Sequence, residues 1–128
     1  MRISNYIGIP YAERGRSFEA VDCFGLVCIM YRDMGITVPD YLDFYTTSSD
    51  VESVADAINK NKAHWRKVEA PGVGDVLVFN IMGFPCHVGV YVGQGDFIHS
   101  FRGTAVCVER LDSLSWSRRL SEAYRWQK

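Results

Sequence analysis

Asp22-Cys23-Phe24-Gly25-Leu26-Val27 opens a stretch whose apolar residues recur with a helical period. Phe24, Val27, Cys28, Tyr31 and Met34 lie on one stripe of a repeat of about 3.6 residues, and Gly35 with Pro39 beyond it ends the pattern. A cysteine in the first turn of such a helix meets partial positive charge and unpaired backbone N–H groups. Both favour an anion, so Cys23 is expected to ionise readily and the same N–H groups can serve an oxyanion. Gly25 removes a side chain where a neighbour must come close. A cysteine taken alone is better explained as a small buried apolar residue. Its partners have to decide.

Working outward, the chain has 128 residues, 48% of them hydrophobic and 23% charged, enough for a single domain over residues 1–128 with its own core. The formal net charge of -1 argues against a nucleic-acid-binding surface as the main role. No apolar run reaches the length of a membrane span. The start, Met1-Arg2-Ile3-Ser4-Asn5-Tyr6, has no basic region followed by an apolar stretch, so no signal peptide is expected. The four cysteines include no CxxC pair, and Cys23, Cys28, Cys86 and His87 are poorly spaced for zinc. The thiols are expected to be reduced, with no metal and no other cofactor.

Upstream of the central helix, Tyr6, Gly8, Pro10, Tyr11 and Gly15 predict a loop with one short helical turn. Ile7 to Tyr11 is expected beside the helix start. Downstream, Pro39 to Thr47 is irregular and aromatic. Ser49-Asp50-Val51-Glu52 has capping-box form, and Val51, Val54, Ala55 and Ile58 continue a helix to about Asn61. His64 is expected in an exposed turn. From Trp65 the period becomes two. Strands are expected over 65–70, 75–80, 86–92, 96–101, 105–110 and 122–126, with loops at 81–85 and 93–95 and a short helix over 114–120. Helices precede an antiparallel meander, so the class is α+β, with N-terminal helices packed on an antiparallel sheet of about five strands.

The hairpin around Gly93-Gln94-Gly95 fixes more. A three-residue loop there sets Gly89 opposite His99 and His87 opposite Phe101. Both histidines then share one face as diagonal neighbours, with Gly89, Tyr91 and Phe97. Val88, Val90, Val92 and Ile98 form an apolar set on the other. Gly89, between the histidines, leaves space for a visitor. Two histidines on one patch are unusual as mere packing. A cysteine nucleophile needs a base for its proton, and the base needs a third group to orient it. His87 and His99 supply both, and spacing alone leaves open which is which.

The ordered set of motifs resembles the NlpC/P60 cysteine peptidases, a papain-like family. Asp22-Cys23-x-Gly25-Leu26-Val27 is similar to their nucleophile motif. Gly74-Asp75-Val76-Leu77-Val78-Phe79 resembles the strand before their histidine, and His87-Val88-Gly89-Val90-Tyr91-Val92-Gly93 the histidine strand itself. Phe97-Ile98-His99-Ser100 resembles the segment carrying their third polar residue, and Tyr11 stands where the family commonly has a tyrosine beside the thiol. The resemblance implies a papain-like NlpC/P60 fold and hydrolysis of amide bonds in peptidoglycan stem peptides, typically between D-γ-glutamyl and a diamino acid. It implies Cys23 as nucleophile, His87 as base and His99 as orienting residue, with Tyr11, Asp22, Phe24 and Gly89 at the substrate.

The serine that follows the cysteine in cellular members is Phe24 here, and an aromatic at that position is similar to members attached to phage tails. This implies a virion tail component that is made in the cytoplasm, partners other tail proteins and opens the host wall. Two other readings keep the same residues: an amidase or acyltransferase on another substrate, and a structural tail-tip protein with a vestigial site.

Overall fold

The helical stretch forms α1, Cys23–Asp33, and Gly35 ends it in the left-handed region at φ 81°. This computed structural model describes residues 2–42, 51–60 and 63–127. In it α1 is buried on more than the predicted stripe. Leu26, Ile29 and Met30 are fully sealed alongside Phe24, Val27 and Tyr31, whereas Cys28 is half-buried and Met34 is exposed. The reason is enclosure from two sides, by the main sheet and by the N-terminal segment. Full burial of each large side chain stabilises the fold by about 1.5–3 kcal/mol.

The N-terminal segment is more ordered than the expected loop. A 3₁₀ turn, Ile3–Asn5, is followed by two short antiparallel strands, β1 (Arg16–Ser17) and β2 (Ala20–Val21). Ile9 to Ala12 does run beside the helix start: Val21 N–H donates to the Pro10 carbonyl and Ala12 N–H to the Val21 carbonyl. Gly25 is required here, because a Cβ at that position would lie 1.8 Å from the Gly15 carbonyl oxygen. The segment is also tied to the far end of α1, where the Tyr6 hydroxyl donates to Asp33 Oδ2 at 2.5 Å.

Helix α2, Val51–Lys60, buries Ala55 and Ile58. Ser49 and Asp50 of the expected capping box, most of the 39–47 stretch and the expected helix end at Asn61 lie outside the described residues. Then come β3 (Trp65–Val68), β4 (Val76–Ile81), β5 (Phe84–Gly93), β6 (Asp96–His99), β7 (Cys107–Arg110), α3 (Leu114–Ser117) and β8 (Leu120–Trp126). Among the described residues the main sheet has six strands rather than about five, in the order β3-β8-β4-β5-β6-β7. It is antiparallel but not a pure meander, because β8 returns to lie between β3 and β4. The expected helix over 114–120 shortens to four residues, since the chain from Leu120 is already paired with Phe79.

Two connections are tighter than expected. Ile81 pairs with Phe84 across a two-residue turn, Met82-Gly83, in which both φ angles are positive (54° and 84°). Gly93 pairs with Asp96 across Gln94-Gly95, with φ of 54° and 81°. Such turns match the twist of paired strands. The residue freed by shortening the 93–95 loop appears as an irregularity between Tyr91 and Gly93. Beyond it the register is the expected one, with Tyr91 opposite Phe97 and Val90 opposite Ile98.

The alternation therefore holds. Val76, Val78, Val88, Val90 and Ile98 join the core against α1, whereas Leu77, Phe79, Phe97, Trp116 and Ala123 form a second cluster on the other face. Asp75, at the mouth of β4, is buried and held by Arg125 through paired bonds of 2.9 and 2.8 Å, and it accepts from Gly72 N–H at 2.7 Å. The Tyr31 hydroxyl of α1 donates to the Gly74 carbonyl beside it. The Gly74-Asp75 motif thus anchors α1 to β4, the strand that precedes β5. Among the described residues no helix is long and apolar enough to cross a membrane.

Candidate active site

Asp22 caps α1. Its Oδ1 accepts from Gly25 N–H at 2.8 Å and from Arg16 Nη1 at 2.6 Å, and its Oδ2 accepts from Arg14 N–H at 3.1 Å. The side chain is fully buried, so its visible work is to fix the helix start and the N-terminal segment around it. Leu26 N–H makes the first helical bond, to the Asp22 carbonyl. The N–H of Cys23 lies ahead of that bond, where a helix has no internal partner to offer.

Cys23 is 4% exposed and packs in the core cluster on the α1 face of the sheet, with Cys86 and Val88. Burial first, and the Asp22 carboxylate second, push its thiol up, while the Val88 N–H and Arg16 pull the other way. The ready thiolate expected from the helix terminus is therefore corrected. In this closed arrangement the cost of desolvating an anion exceeds what the helix start returns.

His87 and His99 come together as expected. His87 Nε2 lies 2.8 Å from His99 Nδ1, and the rings meet edge to face. Both are buried, within a cage formed by Phe79, Phe97, Phe101 and Trp116. Burial, His99 and Arg119, in that order, hold the His87 pKa well below 6.5. Burial also lowers that of His99, against an opposing pull from Glu109. Glu109 is the residue that sequence reasoning missed. Its Oε2 lies 2.6 Å from His99 Nε2, across the β6–β7 pairing in which Phe97 faces Glu109 and His99 faces Cys107.

Cys23 and His87 meet at the same strand, β5. The Val88 N–H that favours the Cys23 thiolate belongs to the peptide joining His87 to Val88. No hydrogen bond joins Cys23 to His87 among the described residues. Nearby, Ser100 Oγ donates to the Val21 carbonyl at 3.0 Å, tying the end of β6 to the residue before the cap.

The four residues expected at the substrate fare differently. Tyr11 is half-buried, bridged to Val21, with its hydroxyl 3.2 Å from Glu13 Oε1. Phe24 is 7% exposed, meets Tyr41 edge to face and lines an apolar cavity with Val27, Ile58, Trp65 and Val88. Asp22 is the cap. Gly89 does not leave space for a visitor, because a Cβ there would meet Ile98 O at 3.0 Å, Phe97 Cδ2 at 3.1 Å and His99 Cβ at 3.3 Å. The missing side chain is what lets the cross-strand histidine sit close. His64 lies in an exposed turn against Trp126, as expected.

Comparison with known proteins follows the same lines. The profile of the NlpC/P60 family matches residues 8–125. The murein DD-endopeptidase MepS/murein LD-carboxypeptidase of Escherichia coli K12 is 21% identical over 123 residues, 95% of this chain and 58% of that protein. The gamma-D-glutamyl-L-lysine dipeptidyl-peptidase of Bacillus cereus is 31% identical over 100 residues, 76% of this chain and 26% of its own length. The crystal structure of an NLP/P60-family protein similar to lipoprotein from Staphylococcus aureus superposes with a TM-score of 0.68 at 25% identity, covering 96% of this chain and 38% of that one. The chain thus spans little more than half of one curated relative and about a quarter of the other.

Proposed function

Because the chain belongs to the NlpC/P60 family, we propose that it is a cysteine peptidase that hydrolyses amide bonds in peptidoglycan stem peptides, at the bond between D-γ-glutamyl and a diamino acid. The observation that carries this reading is the relay His87–His99–Glu109, which begins on β5, the strand whose backbone meets Cys23. The murein and gamma-D-glutamyl-L-lysine activities named for the relatives support the substrate class.

The relay determines where protons sit. The Glu109 carboxylate accepts from His99 Nε2–H, so a neutral His99 presents its Nδ1 lone pair to His87. His87 then donates through Nε2–H and keeps Nδ1 as its acceptor. That nitrogen takes the Cys23 proton as sulfur attacks the substrate carbonyl. The Cys23 N–H at the helix start receives the oxyanion. His87 returns the proton to the leaving amine, giving a thioester. Water, deprotonated by His87, then releases the acid and restores the thiol. With the thiol raised and both histidines lowered, the resting pair is neutral and proton transfer accompanies attack. Asp22 and Tyr11 shape the approach, and Phe24 replaces a hydrogen-bonding side chain with an apolar one beside the nucleophile.

The test is a digest of purified peptidoglycan and defined muropeptides, read by mass spectrometry against Cys23→Ala. New stem-peptide fragments from the wild type alone support the reading and identify the bond; none from either protein, under reducing conditions, removes it. The aromatic Phe24 supports a finer assignment, to the tail of a phage or prophage. Detection of the chain in purified virions tests it, and its absence from intact, infectious particles rejects it.

A further inference from the structure

The face that holds the relay carries one more reactive group. Cys107, directly opposite His99 on β7, has its Sγ 4.0 Å from Glu109 Oε2. His99, Cys107 and Glu109 each turn one ligand atom inward, and these atoms lie within 4.8 Å of one another. We propose that these three residues form a site for Zn²⁺, and that ion binding there switches off the relay. The second half of this inference rests on the peptidase reading; the first half does not.

The donor set is one imidazole nitrogen, one thiolate and one carboxylate, which suits a borderline cation such as Zn²⁺ rather than Mg²⁺ or Ca²⁺. Bonds of about 2.0–2.3 Å put tetrahedral ligand atoms about 3.3–3.7 Å apart. Reaching that arrangement takes a small outward move of Glu109 and an inward move of Cys107. His99 is sealed in its aromatic cage and stays put, whereas Cys107 and Glu109 are partly exposed and able to adjust. That partial exposure also gives the ion its entry path. Three protein ligands leave the fourth position to water.

Binding and proton transfer compete for the same nitrogen. An ion on His99 Nε2 displaces the proton that Glu109 holds there, and the ring stays neutral by carrying its proton on Nδ1, facing His87 Nε2. His87 in turn accepts at Nε2 and carries its own proton on Nδ1. The nitrogen that should receive the Cys23 proton is then occupied. Proton count is conserved in the two rings, and the net proton released is that of Cys107. The switch acts on the base without touching the nucleophile.

Isothermal titration of the reduced full chain with Zn²⁺, and with Co²⁺ for its thiolate-to-metal absorption, tests the site in a Cys23→Ala background. One equivalent is expected to bind with a thiolate band, and adding Cys107→Ala is expected to remove the band and weaken binding by roughly tenfold or more. In the active protein, Cys107→Ala is expected to keep the metal-free rate and to need roughly tenfold more Zn²⁺ for half-inhibition. Nitrogen NMR of the ring-labelled chain is expected to show the His87 proton moving from Nε2 to Nδ1 as Zn²⁺ is added. Binding that vanishes in Cys23→Ala, or survives unchanged in Cys107→Ala, overturns the site. A band and binding that depend on Cys107, with an unmoved His87 and uninhibited hydrolysis, overturn the switch. Failure of the peptidase reading appears separately, as inactivity without metal in a chain that still binds.

Discussion

The two faces of the main sheet are built from the same strands and do opposite things. On the α1 side, Val76, Val78, Val88, Val90 and Ile98 make an apolar core with Leu26, Ile29 and Met30. On the other side, aromatic walls of Phe79, Phe97 and Trp116 enclose His87 and His99, and Glu109 closes the row from the rim. One face is selected for packing and the other holds polar groups at fixed hydrogen-bond distance in a dry setting, where an unmade bond is costly. Cys23 belongs by packing to the first face and by chemistry to the second. The backbone of β5 is where they meet.

The largest effect should come from breaking the chemical face. His87→Ala is expected to reduce hydrolysis of muropeptides by about a thousandfold or more while circular dichroism stays that of the wild type. Full activity in that variant would mean the base is elsewhere. Glu109→Gln is milder. Turnover is expected to fall by about tenfold to a hundredfold with little change in KM. The acid limb of the rate profile should move to lower pH, because a negative charge that raises the His99 pKa is gone. The other charged group facing the pair, Arg119 beside His87, is left in place. Partial recovery in Glu109→Asp, and an unmoved limb in variants of the α1 face, separate positioning from mere packing.

Breaking the packing face should do the reverse. Leu26→Ala is expected to cost about 2–5 kcal/mol of stability in chemical denaturation and to leave the acid limb where it was. Acid also registers in stability, through the histidine face. A histidine whose folded pKa is lowered below 6.5 binds fewer protons folded than unfolded. Its stabilisation is therefore complete above 6.5 and is lost as pH falls below it. The melting temperature should decline below pH 6.5 in the wild type and flatten in the double Gln variant of His87 and His99. An equal slope in the two proteins would assign the acid sensitivity to other groups. The smallest effect is expected at the rim of the cavity, where Phe24→Ser should change the product profile without changing the fold. Identical profiles would remove Phe24 from recognition.

Residues 86–101 were legible because a strict period of two and a short turn leave only one way for His87 and His99 to meet. Even there the turn is tighter than its sequence suggests, since Gln-Gly is a weaker signal than Asn-Gly, yet the register is kept because the irregularity falls between Tyr91 and Gly93, on the turn side of the histidines. Glu109 was not legible. The irregular stretch between His99 and Cys107 does not dictate how β7 aligns, so nothing local says that a carboxylate lands on His99. The same blind spot hides Cys107 from any count of metal spacings. The return of β8 between β3 and β4 is a crossing over the whole sheet with no local signature. The upward push on the Cys23 thiol comes from burial of the helix start and from the Asp22 carboxylate, neither of which the helix period reveals. The likeness of motifs anticipated the family, and the pairing of strands supplied the groups behind it.

The bond from Ser100 Oγ to the Val21 carbonyl joins residues 79 positions apart and sits where the cap of α1 meets the end of β6. It has a consequence in time. A ribosome delivers Cys23, the proposed nucleophile, early, on a helix that local contacts can shape, but the histidines emerge much later and Glu109 later still. Until that closure forms, the growing chain holds a thiol without its proposed base, so on this reading activity arrives with the finished fold rather than with Cys23 itself.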